Sequence, residues 1–371
     1  MRVLMTGGGT GGHVYPAFAI AEIIKANYPD SEIAFVGTEK GIENSLVPKE
    51  GYKLYHIKIQ GIRRSLSPSN IKTAYYVMTS PSRAKKIIKE FSPDIVIGTG
   101  GYVCWPLLRA ASSMNIPTLV HESNAFPGVA VRQLKTRVDA VLTNFESTGE
   151  LLGDNARVIN VGNPLRRSCS VIDKASARKK LGIPDSINTV ILSFGGSLGA
   201  ARVNQAAIDV MKGFASERED VMHFHSGGSR GYENAKVLFA GYGLERNERL
   251  VMSNYLYDMP TYMAAADIVI CRAGAMTLTE LAVMGKAAIL IPSPNVTDNH
   301  QYKNAKQLQD GNGAVLIEES ELTAELIVGK VKEIADNDAY RHSLEENVRK
   351  FAKEDVEKSI YNVIKELVDK K

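Results

Sequence analysis

Cysteine is scarce: three in 371 residues. Cys104, Cys169 and Cys271 are too scattered for a metal-binding spacing and cannot all pair, which excludes a disulfide scaffold and suits a reducing compartment, simplest the cytoplasm. Long apolar runs are missing too. The N-terminus enters a strand after one arginine with only Val3 to Met5 apolar, so neither a signal peptide nor a membrane span is expected. There is no G-x-x-x-x-G-K-[ST] loop and no G-x-S-x-G elbow, which argues against a P-loop NTPase and an α/β-hydrolase. The lone D-x-D, Asp336-Asn337-Asp338, falls between C-terminal helical stretches rather than at a strand end, so no metal site is expected there. Acids are absent from the window 51–89, where Lys53, Lys58, Arg63, Arg64, Lys72, Arg83, Lys85, Lys86 and Lys89 meet none. That window asks for an anionic partner or surface, whereas the overall charge of +4 is too modest to suggest nucleic acid.

What is present describes an ordinary globular protein, with 44% hydrophobic and 23% charged residues and length enough for about two domains. Strand-like and helical stretches alternate. Strands are expected at Val3–Thr6, Ile33–Gly37, Leu54–Ile59, Ile95–Gly98, Thr118–His121, Ala140–Thr143 and Val158–Gly162. After a polar stretch that begins at Asn163 they resume at Thr189–Phe194, Met222–His225, Leu250–Met252, Ile268–Cys271, Ala288–Ile291 and Ala314–Ile317. Alternation of this kind predicts an α/β protein: two Rossmann-like domains in series, each built on a parallel sheet. The limits are drawn at 1–163, 164–340 and, for the C-terminal helices, 341–371.

One stretch, Ala266 to Gly285, reads as strand, tight turn and helix. The first N–H groups of such a helix can hold a diphosphate, and the Glu280 carboxylate can accept from a ribose diol. Thr277-x-x-Glu280 also fits a capping box, in which both side chains only satisfy backbone donors. In the first half, G-G-G-T-G-G-H at Gly7 to His13 precedes a helix whose first turn is expected to contain Pro16. Gly7, Gly9 and Gly12 fit a dinucleotide turn as well, with Glu39 as its ribose acid. His13 stands at the mouth of this turn as a proton acceptor, or simply bonds a carbonyl. Gly98 to Tyr102 and His121 to Asn124 close two more strands; His121 and Glu122 are possible general bases or orienting groups. In the second half, Gly195-Gly196-Ser197 suits a phosphate, and the amides of Gln301 and Asn304 suit sugar hydroxyls or solvent. The basic window also carries Ile62, Leu66, Ile71, Tyr75, Tyr76, Val77, Met78, Ile87 and Ile88, which fits a membrane contact or a helix with its apolar face in the core.

Six motifs, in order, resemble one family. They are G-G-T-G-G-H-V-Y-P (Gly8 to Pro16), G-T-G-G-Y-V (Gly98 to Val103), H-E-S-N-A-F-P-G (His121 to Gly128), G-N-P-L-R (Gly162 to Arg166), G-G-S-L-G-A (Gly195 to Ala200) and C-R-A-G-A-M-T-L-T-E (Cys271 to Glu280). The set is similar to the MurG family, the peripheral membrane N-acetylglucosaminyltransferases of bacterial peptidoglycan synthesis, and covers essentially the whole chain. The resemblance implies a GT-B fold with the active site in the interdomain cleft, an N-terminal acceptor and membrane-contacting domain, and a C-terminal UDP-GlcNAc domain. It implies that the last helices return to the first domain. It implies inverting transfer of GlcNAc from UDP-GlcNAc to the MurNAc 4-hydroxyl of lipid I, giving lipid II, without a cofactor. The enzyme would work at the cytoplasmic face of the cell membrane, bound to its anionic surface through 51–89, with cell-wall synthesis proteins as partners.

Carried over by residue, Ala275, Met276, Thr277, Leu278, Thr279 and Glu280 bind UDP, with Glu280 on the ribose and Leu256 against uracil. Ser197 and Arg166 face the diphosphate, and Gln301 and Asn304 the GlcNAc hydroxyls. Thr10, Gly11, Gly12 and Asn124 line the cleft, and His13 and Glu122 the acceptor side, with His13 preferred as base. Trp105 stands where the family has a small residue. Three other classes are consistent with parts of the pattern: a UDP-sugar isomerase, a nicotinamide-dependent oxidoreductase using Glu39, and a membrane-bound nucleotide sensor without turnover.

Overall fold

The computed structural model describes residues 1–60, 69–166 and 172–370. Ile62, Arg63, Arg64, Leu66 and Cys169 lie outside them. The chain forms two compact units, Met1–Arg167 with Lys353–Lys371, and Ser168–Ala352. The sequence reading drew its limits at 163 and 340; the contacts draw them at 167 and 352.

The first unit runs β1 (Arg2–Thr6), α1 (Gly11–Asn27), β2 (Glu32–Gly37), α2 (Glu43–Lys49), β3 (Lys53–His56), α3 (Ser69–Phe91), β4 (Ile95–Gly98), α4 (Cys104–Ser112), β5 (Thr118–Glu122), α5 (Val129–Leu134), β6 (Ala140–Thr143), α6 (Glu146–Leu152) and β7 (Val158–Asn160). Its seven strands lie in the order β3-β2-β1-β4-β5-β6-β7, all parallel. Successive side chains on a strand point to opposite faces, so each strand feeds two cores. Val3, Met5, Ile95 and Ile97 pack under α1, while Leu4, Val96 and Val120 pack with Ala84, Ile88 and Leu107 of α3 and α4.

The second unit runs α7 (Lys174–Lys180), β8 (Thr189–Phe194), α8 (Ala201–Gly213), β9 (Val221–Ser226), α9 (Tyr232–Gly241), β10 (Leu250–Ser253), α10 (Met259–Ala265), β11 (Ile268–Cys271), α11 (Ala275–Met284), β12 (Ala287–Leu290), α12 (His300–Asp310), β13 (Val315–Leu316), α13 (Ala324–Ala335) and α14 (Asp338–Arg349). The order is β10-β9-β8-β11-β12-β13, again parallel. All six residues of β8 are buried, as a central strand covered on both faces requires. The last helix, α15 (Val356–Asp369), belongs to the first unit. Its Ile360, Val363, Ile364 and Leu367 recur at helical spacing and enter the core with Val3, Met5 and α1.

Two expectations differ. The ladder of β3 ends at His56 rather than Ile59, because β3 is an edge strand and the chain leaves it after the Ile57 N–H bonds the Gly37 carbonyl at 2.9 Å. Pro16 sits inside α1, not in its first turn, because the helix already begins at Gly11 within the glycine run. Its ring withholds the N–H that would bond the Gly12 carbonyl four residues back.

Candidate active site

In an open parallel sheet, ligands bind outside the carboxyl ends of the strands where the strand order reverses. In the first unit that point lies between β1 and β4, which brings together residues 7–10 and 99–103, with 123–128 after β5 alongside. The two glycine loops touch. A Cβ on Gly100 would stand 2.4 Å from His13 Nδ1, so only glycine lets the imidazole lie against that backbone. His13 is half-buried in the first turn of α1, its Nδ1 3.2 Å from the Thr99 carbonyl, while Thr99 Oγ1 donates to the His13 carbonyl at 2.7 Å. A carbonyl only accepts, so Nδ1 carries the proton and the lone pair sits on Nε2. Thr10 is the N-cap and makes no side-chain cap bond; Gly11 and Gly12 open the helix.

The two acid–base candidates after β5 have structural partners. Glu122 is buried, accepting from the Asn124 N–H and Nδ2, each at 3.0 Å, and from the Gly128 N–H at 2.7 Å. It therefore organises the loop that carries Asn124. His121 is fully buried, its Nε2 2.9 Å from the Gly162 carbonyl, and burial pushes its pKa down to about 4. A neutral imidazole out of solvent reach orients its neighbours. Trp105 on α4 packs against the core beneath Arg109, 4.9 Å from its ring centre.

Arg166, expected at the diphosphate, is held elsewhere in this structure. Its Nε donates to Glu22 at 2.8 Å and its two terminal nitrogens to Glu50 at 3.0 and 2.9 Å, with the guanidinium over Phe18. Two carboxylates, on α1 and at the end of α2, thus take the whole donor fork.

In the second unit the reversal lies between β8 and β11. Residues 195–200 and 272–274 leave neighbouring strand ends there, the latter leading into α11. Gly274 is the N-cap of α11 and offers no side chain; Thr277 and Glu280 are the third and sixth helical residues. The capping box does not form, since it needs threonine at the non-helical cap position. The N–H groups of Ala275, Met276 and Thr277 are therefore left to a ligand or solvent, at the positive end of the helix. Glu280 keeps some accessible surface, yet enough protein surrounds it that burial pushes its carboxyl up to about 7. The side chains of Leu278 and Leu256 are buried, so a nucleotide would meet their backbone; Thr279 Oγ1 bonds back to the Ala275 carbonyl at 3.0 Å. Ser197 is exposed on its loop. Gln301 Oε1 accepts from the Ser293 N–H at 2.9 Å, and the buried Asn304 donates to the Ala273 carbonyl at 3.3 Å, tying α12 to the loops after β12 and β11.

The sequence reading missed Glu43, a buried carboxylate bonded to the Gly9 N–H at 3.1 Å. An acid just after a glycine turn was the signal, but a single sequence does not distinguish it from a solvated first-turn glutamate.

On α3 the described residues divide between a buried apolar face and an exposed one. Ala84, Ile88 and Phe91 enter the core, while Tyr75 (58% exposed), Met78 (80%), Lys85, Lys86 and Lys89 face outward. No helix of the described residues is long and apolar enough to cross a membrane.

A double parallel-sheet chain with glycine-rich loops at both switch points has the architecture of nucleotide-sugar glycosyltransferases. Residues 3–143 match the glycosyltransferase family 28 N-terminal domain and residues 190–361 its C-terminal domain. A relative from Thermoanaerobacter sp. (strain X514) is 41% identical over 99% of this chain and 100% of its own; it is a UDP-N-acetylglucosamine–N-acetylmuramyl-(pentapeptide) pyrophosphoryl-undecaprenol N-acetylglucosamine transferase. The crystal structure of MurG from Acinetobacter baumannii is 28% identical, with a TM-score of 0.78 over 98% of this chain and 99% of that one. A UDP-GlcNAc 2-epimerase from Neisseria meningitidis bound to UDP-GlcNAc superposes with a TM-score of 0.70 over 99% and 100% of the two chains at 12% identity, which reflects the fold alone. The chain belongs to the peptidoglycan N-acetylglucosaminyltransferases of glycosyltransferase family 28. That membership sets aside the oxidoreductase reading of Gly7, Gly9, Gly12 and Glu39.

Proposed function

We propose that this chain transfers GlcNAc from UDP-GlcNAc to the MurNAc 4-hydroxyl of lipid I, with inversion, releasing UDP and forming lipid II. The observation that carries the donor half is the start of α11, where Gly274 leaves the first N–H groups uncapped on the helix that also carries Glu280. A diphosphate fits the N–H groups, and a ribose diol fits the carboxylate. The acceptor half rests on His13, whose Nδ1 is anchored so that Nε2 takes the proton. The 4-hydroxyl oxygen forms its bond to the anomeric carbon as the bond to the UDP oxygen breaks; the hydroxyl proton passes to His13 Nε2. Backbone dipoles at α11 and at the Ser197 loop stabilise the departing charge, with no metal needed. Gln301 recognises the sugar, while the buried Asn304 acts by holding α12 to the loop after β11. Glu122 acts by holding Asn124 in place.

The exposed apolar and basic face of α3 supports peripheral attachment to the anionic cytoplasmic face of the membrane, where lipid I resides. Cell-wall synthesis proteins are the partners this location implies.

The test is UDP release from UDP-GlcNAc with and without a lipid I analogue, in EDTA. Acceptor-dependent release in the chelator is expected. Release without acceptor accompanied by 2-epimerisation identifies an isomerase, and binding without release a sensor; either overturns the proposal.

A further inference from the structure

Beneath the first glycine loop lies a carboxylate that the reaction above does not use. Glu43 opens α2 and is 1% exposed. Among the described residues its hydrogen-bond partners are neutral: Oε2 accepts from the Gly9 N–H at 3.1 Å, and Oε1 from the Thr38 N–H at 2.8 Å and Thr38 Oγ1 at 3.0 Å. A buried charge held only by neutral donors depends on every one of them.

The surrounding sequence is shaped to this side chain. A Cβ on Gly41 would stand 2.1 Å from both carboxylate oxygens, and one on Gly37 2.4 Å from Glu43 Cγ. The end of β2 and the turn before α2 thus come too close to Glu43 to carry side chains of their own. On its other side the loop meets the second glycine turn: a Cβ on Gly101 would stand 2.4 Å from the Gly8 carbonyl. Residues 8–9 are gripped between the two. Gly9, held at φ +90°, leads directly to the N-cap Thr10 and the turn of α1 that carries His13.

We propose that Glu43 is a positioning residue for the transfer: by holding the Gly9 N–H it fixes where α1 begins and hence where His13 meets the acceptor hydroxyl. The proposal rests on the reading of His13 as the base. A displacement near 1 Å at a reacting group costs on the order of 100-fold in rate, so one lost loop bond suffices to be seen.

In Glu43→Gln a single amide oxygen cannot serve both Thr38 and Gly9, and the new –NH2 confronts an N–H. Acceptor-dependent kcat should fall about 10- to 100-fold while UDP-GlcNAc affinity, read by calorimetry, holds within about twofold. Hydrogen exchange should rise in peptides covering residues 7–14 and not in residues 189–290. Gly41→Ala, which keeps the carboxylate but pushes it aside, should reproduce the defect; if Glu43→Gln does not fold, this variant decides. Glu39→Gln, an exposed neighbour of equal charge, should match wild type. A His13→Ala/Glu43→Gln double variant should be no slower than His13→Ala alone, since both act through one group. Wild-type turnover in Glu43→Gln and Gly41→Ala, or parallel loss of donor affinity, overturns the positioning role. Full turnover in His13→Ala instead removes the base reading, whatever Glu43 does.

Discussion

His13 Nδ1 lies 3.2 Å from the Thr99 carbonyl, and Thr99 Oγ1 returns a hydrogen bond to the His13 carbonyl. The residue after β4 thus sets both the tautomer and the backbone of a residue in the first turn of α1. His13→Ala should lower turnover by about 100- to 10,000-fold, the usual worth of a general base, with UDP-GlcNAc affinity nearly unchanged. His13→Gln, which keeps a donor for Thr99 but has no titratable lone pair, should be as slow. Turnover in either variant equal to wild type removes His13 from the chemistry.

Glu280 predicts a pH dependence for donor binding. Its folded pKa, about 7, is raised, so the group binds its proton more tightly folded than unfolded. The ribose diol donates to the ionised carboxylate, so UDP-GlcNAc affinity should fall as pH drops below 7, by about 30-fold between pH 8 and 5.5. Glu280→Gln should flatten the profile. The same burial means stability is fully present below the unfolded pKa and is lost as pH rises through 7. Glu280→Gln should therefore stabilise the protein by up to about 3 kcal/mol at pH 8 and not at pH 4.5, measured by urea unfolding.

Arg166 separates two roles. If its clamp on Glu22 and Glu50 is its main work, Arg166→Ala should cost about 1 kcal/mol of stability, because a partly buried and an exposed carboxylate lose their common cation. UDP-GlcNAc affinity should stay the same. Loss of donor affinity at unchanged melting temperature would put the guanidinium on the diphosphate after all.

For α3, replacing Tyr75 and Met78 together by serine should weaken binding to vesicles of anionic lipid while leaving the melting temperature within a degree or two, since both side chains are exposed. Raised salt should weaken the wild type further through Lys85, Lys86 and Lys89. Equal vesicle binding by variant and wild type would remove this face from the membrane contact.

Much of this architecture is legible in the amino-acid sequence. The apolar, β-branched runs gave twelve strand positions within two residues at each end, because parallel strands buried on both faces leave an unbroken signal; β3 was cut short by its place at the sheet edge. The glycine loops were readable because Gly7, Gly9, Gly100 and Gly101 stand where a close contact or a positive φ excludes a side chain. Partners across the sheet were not. Nothing near Arg166 in sequence points to Glu22 or Glu50, and nothing near Gly9 points to Glu43. Thr277 and Glu280 looked like a cap until the helix proved to start at Ala275, since spacing alone does not say which residue leaves helical geometry first.

The return of α15 to the first sheet has a consequence for how the molecule is made. Val3 and Met5, which precede the second unit in the chain, share a core with Ile360 and Ile364, which follow it. The intervening unit has all its strands and helices available before that helix is synthesised, so the second unit can close while the first still shows one apolar side of its sheet. Of the two units, the one begun earlier is finished later.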